Sequence, residues 1–559
     1  MVSDTEKTLT PSPTLPPLPK DHNGPHLSAT FDSTSADSLR SNDARTTQYP
    51  PPFARWMIVT ALLLGEFLIA LDLTIVATAI PRITDDYQTI RDVGWYGSGY
   101  FLTFAAFQSA WGKVFKYFNM KYAFFTSVVI FAVGSLVCAL APTSMALIIG
   151  RALTGVGAAG VTNGVYTIIA CIVPPAQVAM YLALVGMDFS IASVAGPLLG
   201  GVFTEKLSWR WCFWINLPIG GASLAVVLFF FKVPSTMAPA KASLREKLLQ
   251  MDFQGTVLVL SSLVCYMLAL EEGGVRRPWN SSVVIGLLVG FVLLAVLFGI
   301  DQWLQGDRAQ IVGRIMKRRT IASLCAFIIF CNGTVFLMMY YLPIYFQSIN
   351  GASPSSSGFR SLPLILAMSI ALLASSAIIT RIGYYTPLLI AGGVLLTIGS
   401  GLIYTLDIGT SVGKYVGYQI LVGAGNGICS QIPLITAIAF SKPEDIAITT
   451  ALVLFYQLVS GAISVSLAQS IFTNVLLKKL PEFAPSIDPA SVIAVGASKL
   501  REAFSEEDLP GILRAYMAGL KAAWAAATAL GGLTFLCAFV PKIKSIKTGT
   551  NRGGTAMAV

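Results

Sequence analysis

Long apolar runs alternate with short polar punctuation along almost the whole of this chain. Fourteen runs fall at about 56–80, 94–115, 121–141, 145–172, 178–203, 210–232, 252–270, 282–304, 320–347, 357–380, 384–406, 414–440, 446–476 and 515–540. A helix needs roughly 20 apolar residues to cross a bilayer core, and these runs have that length. The pattern therefore predicts an all-α membrane protein of fourteen spans. Residues 1–55 are rich in Pro, Ser, Thr and Asp and bury too little to fold, which predicts a disordered tail. The first apolar run begins only near Trp56, so no cleavable signal peptide is expected.

Composition sharpens this picture. Only 12% of the 559 residues are charged and mean hydropathy is +0.70, whereas a soluble chain carries about 25% charged residues. The net charge of +10 would suit nucleic acid, but its cations sit in short loops between apolar runs. Membrane topology explains them better. The eight cysteines lie in or at the ends of spans without metal-ligand spacing and read as packing residues. Both histidines, His22 and His26, lie in the tail, which argues against a histidine-bound metal or an intramembrane histidine base. No cofactor and no enzyme activity are expected, and no Walker-type loop points to ATP.

An even number of spans puts both termini on one side. Lys113, Lys116 and Lys121, with Arg314, Lys317, Arg318 and Arg319, then fall in loops on that same side. The positive-inside rule makes it the cytosol. Trp209, Trp211 and Trp214 become an outer aromatic anchor. A long outside segment covers 477–514, and Asn280 heads an outward sequon. Asn332 heads a second one that lies inside a span.

Residues 186–201, GMDFSIASVAGPLLGG, are the most distinctive run. Four-residue spacing places Asp188, Ala192, Gly196 and Gly200 on one drifting helical stripe that lets another helix approach closely. Pro197 removes the hydrogen bond to the Ser193 carbonyl and favours a bend. Ala367, Ala371 and Ser375 of the tenth span have the complementary spacing, predicting a seam between spans five and ten.

The chain also repeats. Arg151-x3-Gly155-x-Gly157, with Asn163 eight residues after Gly155, matches Gln419-x3-Gly423-x-Gly425, with Gln431 eight residues after Gly423. One offset serves both, which marks a duplicated half. Duplicated halves enclosing a midplane site are the usual build of secondary transporters. The spans divide as six, two and six: an N-terminal half over 56–232, an inserted two-helix region over 233–319 and a C-terminal half over 320–540, followed by a tail over 541–559.

Four motifs now resemble the major facilitator superfamily, in particular its fourteen-span drug:proton antiporters of the fungal toxin and multidrug efflux type. They are LDLTIVATAIP (71–81), IGRALTGVGAAG (149–160), GMDFSIASVAGPLLGG (186–201) and WRWCFWINLPIG (209–220). The likeness covers roughly residues 55–540. It implies a major facilitator fold, exchange of protons for a small molecule, and a proton-transfer role for Arg151. It also implies that Gly186, Ala192, Gly196, Pro197, Gly200 and Gly201 are the shared antiporter-motif seam. One departure stands out: the loop GKVFKYFNMK (112–121) carries Lys116 where the family has an aspartate. Glu66 and Asp188 stand where neutral residues are expected.

Intramembrane ionisable groups are functional candidates because a charge at the bilayer centre costs roughly 2.5–3.5 kcal/mol. Asp72 reads either as a proton carrier or as a packing acid capped by hydroxyls such as Thr74. Glu66 lies about 120° around the helix and roughly 9 Å from it, too far for a dyad. Arg151 cannot deprotonate, so it either tunes a nearby acid or forms a structural ion pair. Asp188 reads as a polar packing residue or as a group whose protonation alters the seam. Asn163, Gln431 and Gln457 are the candidate cavity amides.

The sequence thus predicts a monomeric, proton-coupled exporter of a hydrophobic toxin, secondary metabolite or drug. Its partners are protons, the small molecule and the bilayer, with no nucleic acid. It resides in the plasma membrane or, alternatively, the vacuolar membrane. A siderophore or basic amino-acid exchanger of the same fold is the other reading.

Overall fold

A computed structural model describes residues 49–546 apart from 88–92, 234–238, 496–499 and 542. The tail expected over 1–55 thus lies outside the described residues through position 48, as does 541–559 from 547 onward. The described chain is built from long helices in the order expected. They are α1 (Pro52–Tyr87), α2 (Val93–Tyr117), α3 (Met120–Leu140), α4 (Ser144–Ile172), α5 (Pro175–Lys206), α6 (Asn216–Phe230) and α7 (Phe253–Glu272). There follow α8 (Ser282–Gln305), α9 (Arg319–Ser348), α10 (Pro354–Ile382), α11 (Thr386–Tyr404), α12 (Val412–Cys429), α13 (Ile446–Phe483) and α14 (Leu509–Cys537).

Among the described residues, 13 helical segments are long and apolar enough to cross a membrane. The segment missing from the expected fourteen is α2. Its Gly, Tyr, Trp and Ser residues, together with Gln108 and Lys113, lower its hydropathy, and it packs against α4, α7 and α13.

Local chemistry sets several helix boundaries. Asn119, Thr143, Ser281 and Ser353 cap α3, α4, α8 and α10 by accepting from backbone N–H groups of the first turn. Pro433 has no N–H to donate to Cys429, and α12 breaks at Ser430-Gln431 before a short helix, Ile432–Ala439, resumes.

The duplicated glycines do the same work twice. A Cβ on Gly155 would strike the Tyr100 carbonyl of α2, and one on Gly423 the Leu364 carbonyl of α10. Gly157 sits likewise on Phe131 of α3, and Gly425 on Leu396 of α11. Each repeat thus holds its fourth helix against its second and third at backbone distance, the packing that lipid-embedded helices favour. Cys331 and Cys429 are free thiols 3.6 Å apart, and the other cysteines are also unpaired.

Candidate functional site

Asp72 of α1 is completely buried, and Arg151 of α4 is 1% exposed. The Nη1 of Arg151 donates to Asp72 Oδ2, while Asn216 Nδ2 donates to Asp72 Oδ1 at 3.1 Å. Arg151 Nε donates to the Tyr96 carbonyl at 2.8 Å, and its guanidinium lies 4.4 Å from the Tyr100 ring centre. Both carboxylate oxygens and the cation are therefore satisfied inside the protein, as a buried pair requires. Thr74 does not cap Asp72, because its hydroxyl turns back to the Ala70 and Leu71 carbonyls. Asn216 is a residue that sequence reasoning passed over, although it is the one amide in WRWCFWINLPIG. In the second repeat Gln419 holds backbone carbonyls of Arg360 and Tyr415, both at 3.1 Å, with no acid partner.

The predicted seam needs correction. Cβ atoms on Gly196 and Gly200 would strike Thr74 and Thr78 of α1, and Thr74 Oγ1 donates to the Ala192 carbonyl at 3.4 Å. The small-residue stripe of α5 therefore packs on α1, not on α10. Ala367, Ala371 and Ser375 face α12, where Ser375 Oγ donates to the Gly427 carbonyl at 3.3 Å. A stripe of small residues reports that some helix comes close, but it does not say which one. α5 and α10 do pack together, and it is Gly186 that meets Leu372 and Gln431. Gly201 borders open space. α5 continues as helix through Pro197, whose side chain lies outside the described residues.

The contrast yields a stability test. Gly196→Leu has to displace Ile75 backbone as well as Thr74, so overpacking is expected to cost about 1–3 kcal/mol. Gly201→Leu should be near neutral. Thermal melts of the purified variants compare the two directly.

Contact between α5 and α1 advances in step: Thr74 opposite Gly196, then Thr78 opposite Gly200. Continuing the step downward brings Asp188 opposite Glu66. Glu66 is 6% exposed and Asp188 half-buried, and neither Glu66 Oε2 nor Asp188 Oδ2 has a hydrogen-bond partner. Thr162 of α4 stands beside Glu66 without closing a bond to it. Tyr166, one turn along α4, accepts from Gln431 Nε2 at 3.3 Å. Gln431 itself sits at the break in α12, where irregular backbone at membrane depth lines functional sites. Asn163 is buried and accepts from Thr167 at 3.0 Å; Gln457 is half-buried on α13. The structure thus joins Gln431 to Tyr166, which stands near the acids, while among the described residues Asn163 and Gln457 show no contact with Gln431.

A second polar cluster ties distant loops together. Lys116, at the end of α2, lies 3.1 Å from Asp445 Oδ1, and Arg314 grips both Asp445 oxygens at 2.8 and 3.0 Å. Asp445 precedes the first turn of α13, where the helix dipole favours an anion. Close packing continues inward, since a Cβ on Gly112 would lie 3.0 Å from the Ala447 carbonyl. Lys113 is buried and donates to Gln250 Oε1 at 3.2 Å and to the Asp307 carbonyl at 2.7 Å. Asn280 is exposed, whereas Asn332 is buried.

Many apolar helices around a charged, hydrogen-bonded interior define a multi-pass membrane transporter. The chain belongs to the Major Facilitator Superfamily, whose family model matches residues 62–465. It is 45% identical over 501 residues to the MFS-type transporter grgE of a Penicillium species, covering 89% of each chain. It is 42% identical over 523 residues to the MFS-type efflux pump MFS1 of Arthroderma benhamiae, covering 92% of this chain and 98% of that one. The dehydrocurvularin exporter of Alternaria cinerariae is 40% identical over 486 residues, 87% of this chain and 84% of that protein. Among solved structures, the human organic anion transporter MFSD10 superposes with a TM-score of 0.56 at 14% identity. That match spans 88% of this chain and 100% of MFSD10, a likeness of fold alone.

Proposed function

We propose that this protein is a proton-coupled efflux transporter that exports a hydrophobic secondary metabolite, toxin or drug. Residues 56–232 and 320–540 act as two moving halves, with 233–319 inserted between them. Three similar proteins are named for export: the Arthroderma pump, the Alternaria exporter and the efflux pump notK of an Aspergillus strain. The observation that carries the reading is the buried ionisable interior, Asp72 on Arg151 with Glu66 and Asp188 nearby. Passive anchors have no need to bear the cost of such groups in a bilayer.

Alternating access also needs a closure that opens and re-forms. Lys116, Arg314 and Asp445 supply one at the end where α2 meets α13, which the positive-inside rule places in the cytosol. The family's loop acid is replaced by Lys116, and the acid has moved to the start of α13. The attraction survives with its signs exchanged. On this reading both termini are cytosolic, the protein works as a monomer in the plasma membrane, and Asn280 is the glycan acceptor.

Transporter-deficient yeast expressing the full chain provides the test, with Nile red and rhodamine 6G as probes. Lower retention of at least one dye, abolished by a protonophore, is the expected result. Export that persists after the proton gradient collapses would remove the coupling claim, and unchanged retention of both dyes and of a panel of lipophilic fungal polyketides would remove the export claim.

A further inference from the structure

We infer that Glu66 and Asp188 together form the exchangeable proton site of this protein, and that the Asp72–Arg151 pair is a fixed positioning element. This rests on the proton-coupled reading above and names the group within it that takes up and gives off the proton.

The two acid sites differ in what surrounds them. Both Asp72 oxygens are occupied by donors from Arg151 and Asn216, so a proton arriving there has to break a buried ion pair first. At Glu66 and Asp188 an oxygen of each carboxyl has no partner, although Glu66 is more than nine-tenths buried. A carboxylate in that setting lacks the donors that make a buried anion affordable, and a proton supplies what is missing. The contacts Thr74 to Gly196 and Thr78 to Gly200 fix the register of α1 and α5, and that register carries Asp188 to the level of Glu66, close enough for the two to interact electrostatically.

Among the titratable and charged groups, Tyr166 of α4 stands near both acids and Tyr100 of α2 near Glu66, while Arg151 of α4 and Asp72 of α1 neighbour Tyr100. No cation is bonded to either acid among the described residues, and Arg151 is already committed to Asp72. Transfer is simple in outline. A hydronium ion gives its proton to one carboxylate oxygen and leaves as water; on the other side of the membrane the carboxyl returns the proton to water.

The site also touches the moving seam. Gly186, two residues and about half a turn from Asp188 on α5, meets Leu372 and Gln431, while Gln431 donates to Tyr166, one turn along α4 from Thr162, which stands beside Glu66. A change of charge on the acids therefore reaches the break in α12 through Tyr166 and Gln431.

Infrared titration of the purified full-length protein tests this without any cargo. The wild type should show a protonated-carboxyl carbonyl band that disappears as pH is raised. Glu66→Gln/Asp188→Asn should lose that band, whereas Asp72→Asn/Arg151→Gln should keep it. Glu66→Asp should keep it with a shifted midpoint. Absence of the band in the wild type, its survival in the first double variant, or its loss in the second would overturn the assignment. If the first double variant does not fold, an unshifted midpoint in Glu66→Asp overturns it instead. Dye export that fails while the band behaves as expected would refute the efflux reading and leave the proton site standing.

One transport outcome would also overturn it. Were Glu66→Gln to lose export of cationic rhodamine 6G but keep proton-driven export of neutral Nile red, the pair would be reading cargo charge.

Discussion

Arg151→Leu is expected to destabilise the folded protein by about 3–5 kcal/mol, because it strands a fully buried carboxylate. Asn216 alone remains on Asp72, donating to one oxygen. The guanidinium also anchors α4 to α2 through the Tyr96 carbonyl and lies over Tyr100. Leucine replaces neither contact. Neutralising both partners has a different consequence. Asp72→Asn/Arg151→Gln exchanges the ion pair for amides, and the protein already shows that an amide fits the duplicated position. Gln419 there reaches the Arg360 carbonyl of the helix two before it. The double variant should therefore recover most of the loss. Thermal unfolding in detergent, followed by size-exclusion yield, reads both variants. Equal destabilisation of the single and double variants would show that the charge pairing is not what holds α1 against α4.

Asp445→Asn should open the end of the bundle where α2 meets α13. The substitution keeps the volume but removes the anion that Lys116 and Arg314 share. Hydrogen bonds to a charged partner contribute about 1.5–3 kcal/mol, with the lower end expected because Arg314 is half exposed. Each 1.4 kcal/mol is a tenfold change in population, so the open state should rise roughly tenfold. Ala447→Cys reports this, since Gly112 packs on that position when the end is closed. A membrane-impermeant maleimide should label it about tenfold faster in the Asp445→Asn background. Lys116→Met should give a smaller increase, because Arg314 keeps its two-oxygen grip. An unchanged labelling rate would make the cluster a surface ornament, with closure resting on apolar packing alone.

Much of the architecture was legible along the chain because the bilayer imposes it. A span must be about 20 apolar residues long and must satisfy its own backbone, so runs of that length announce helices wherever they occur. α2 shows the limit of the rule. A helix that packs against three others has no need to be greasy, and its Gly, Ser and Lys residues hide it from a hydropathy criterion. The repeat was legible for another reason: Gly155 and Gly423, or Gly157 and Gly425, admit no side chain where two backbones touch.

The site was less legible. Asp72, Arg151, Glu66 and Asp188 were all visible as acids and a base in apolar sequence, yet their pairing was not. Asp445 carried a weak signal, an acid just before a long apolar run, as helix starts often have. Asn216 carried only its oddity within an apolar motif. The stripe on α5 was read correctly as a close-packing surface and assigned to the wrong neighbour, because helical spacing describes one cylinder and is silent about the second.

By itself, then, the sequence determined the order of the long apolar helices, the repeated glycine pattern and the presence of unusual charges in a low-dielectric interior. Those follow from length, spacing and the cost of burying charge, all of which are local. Only the tertiary structure decided that Arg151 belongs to Asp72, that Gly196 and Gly200 clamp α1, and that Glu66 comes near Asp188. Only it showed that Lys116 meets its counter-charge at a residue 329 positions away. Those pairings depend on which helices lie side by side and in what register, and the whole packed bundle fixes that at once.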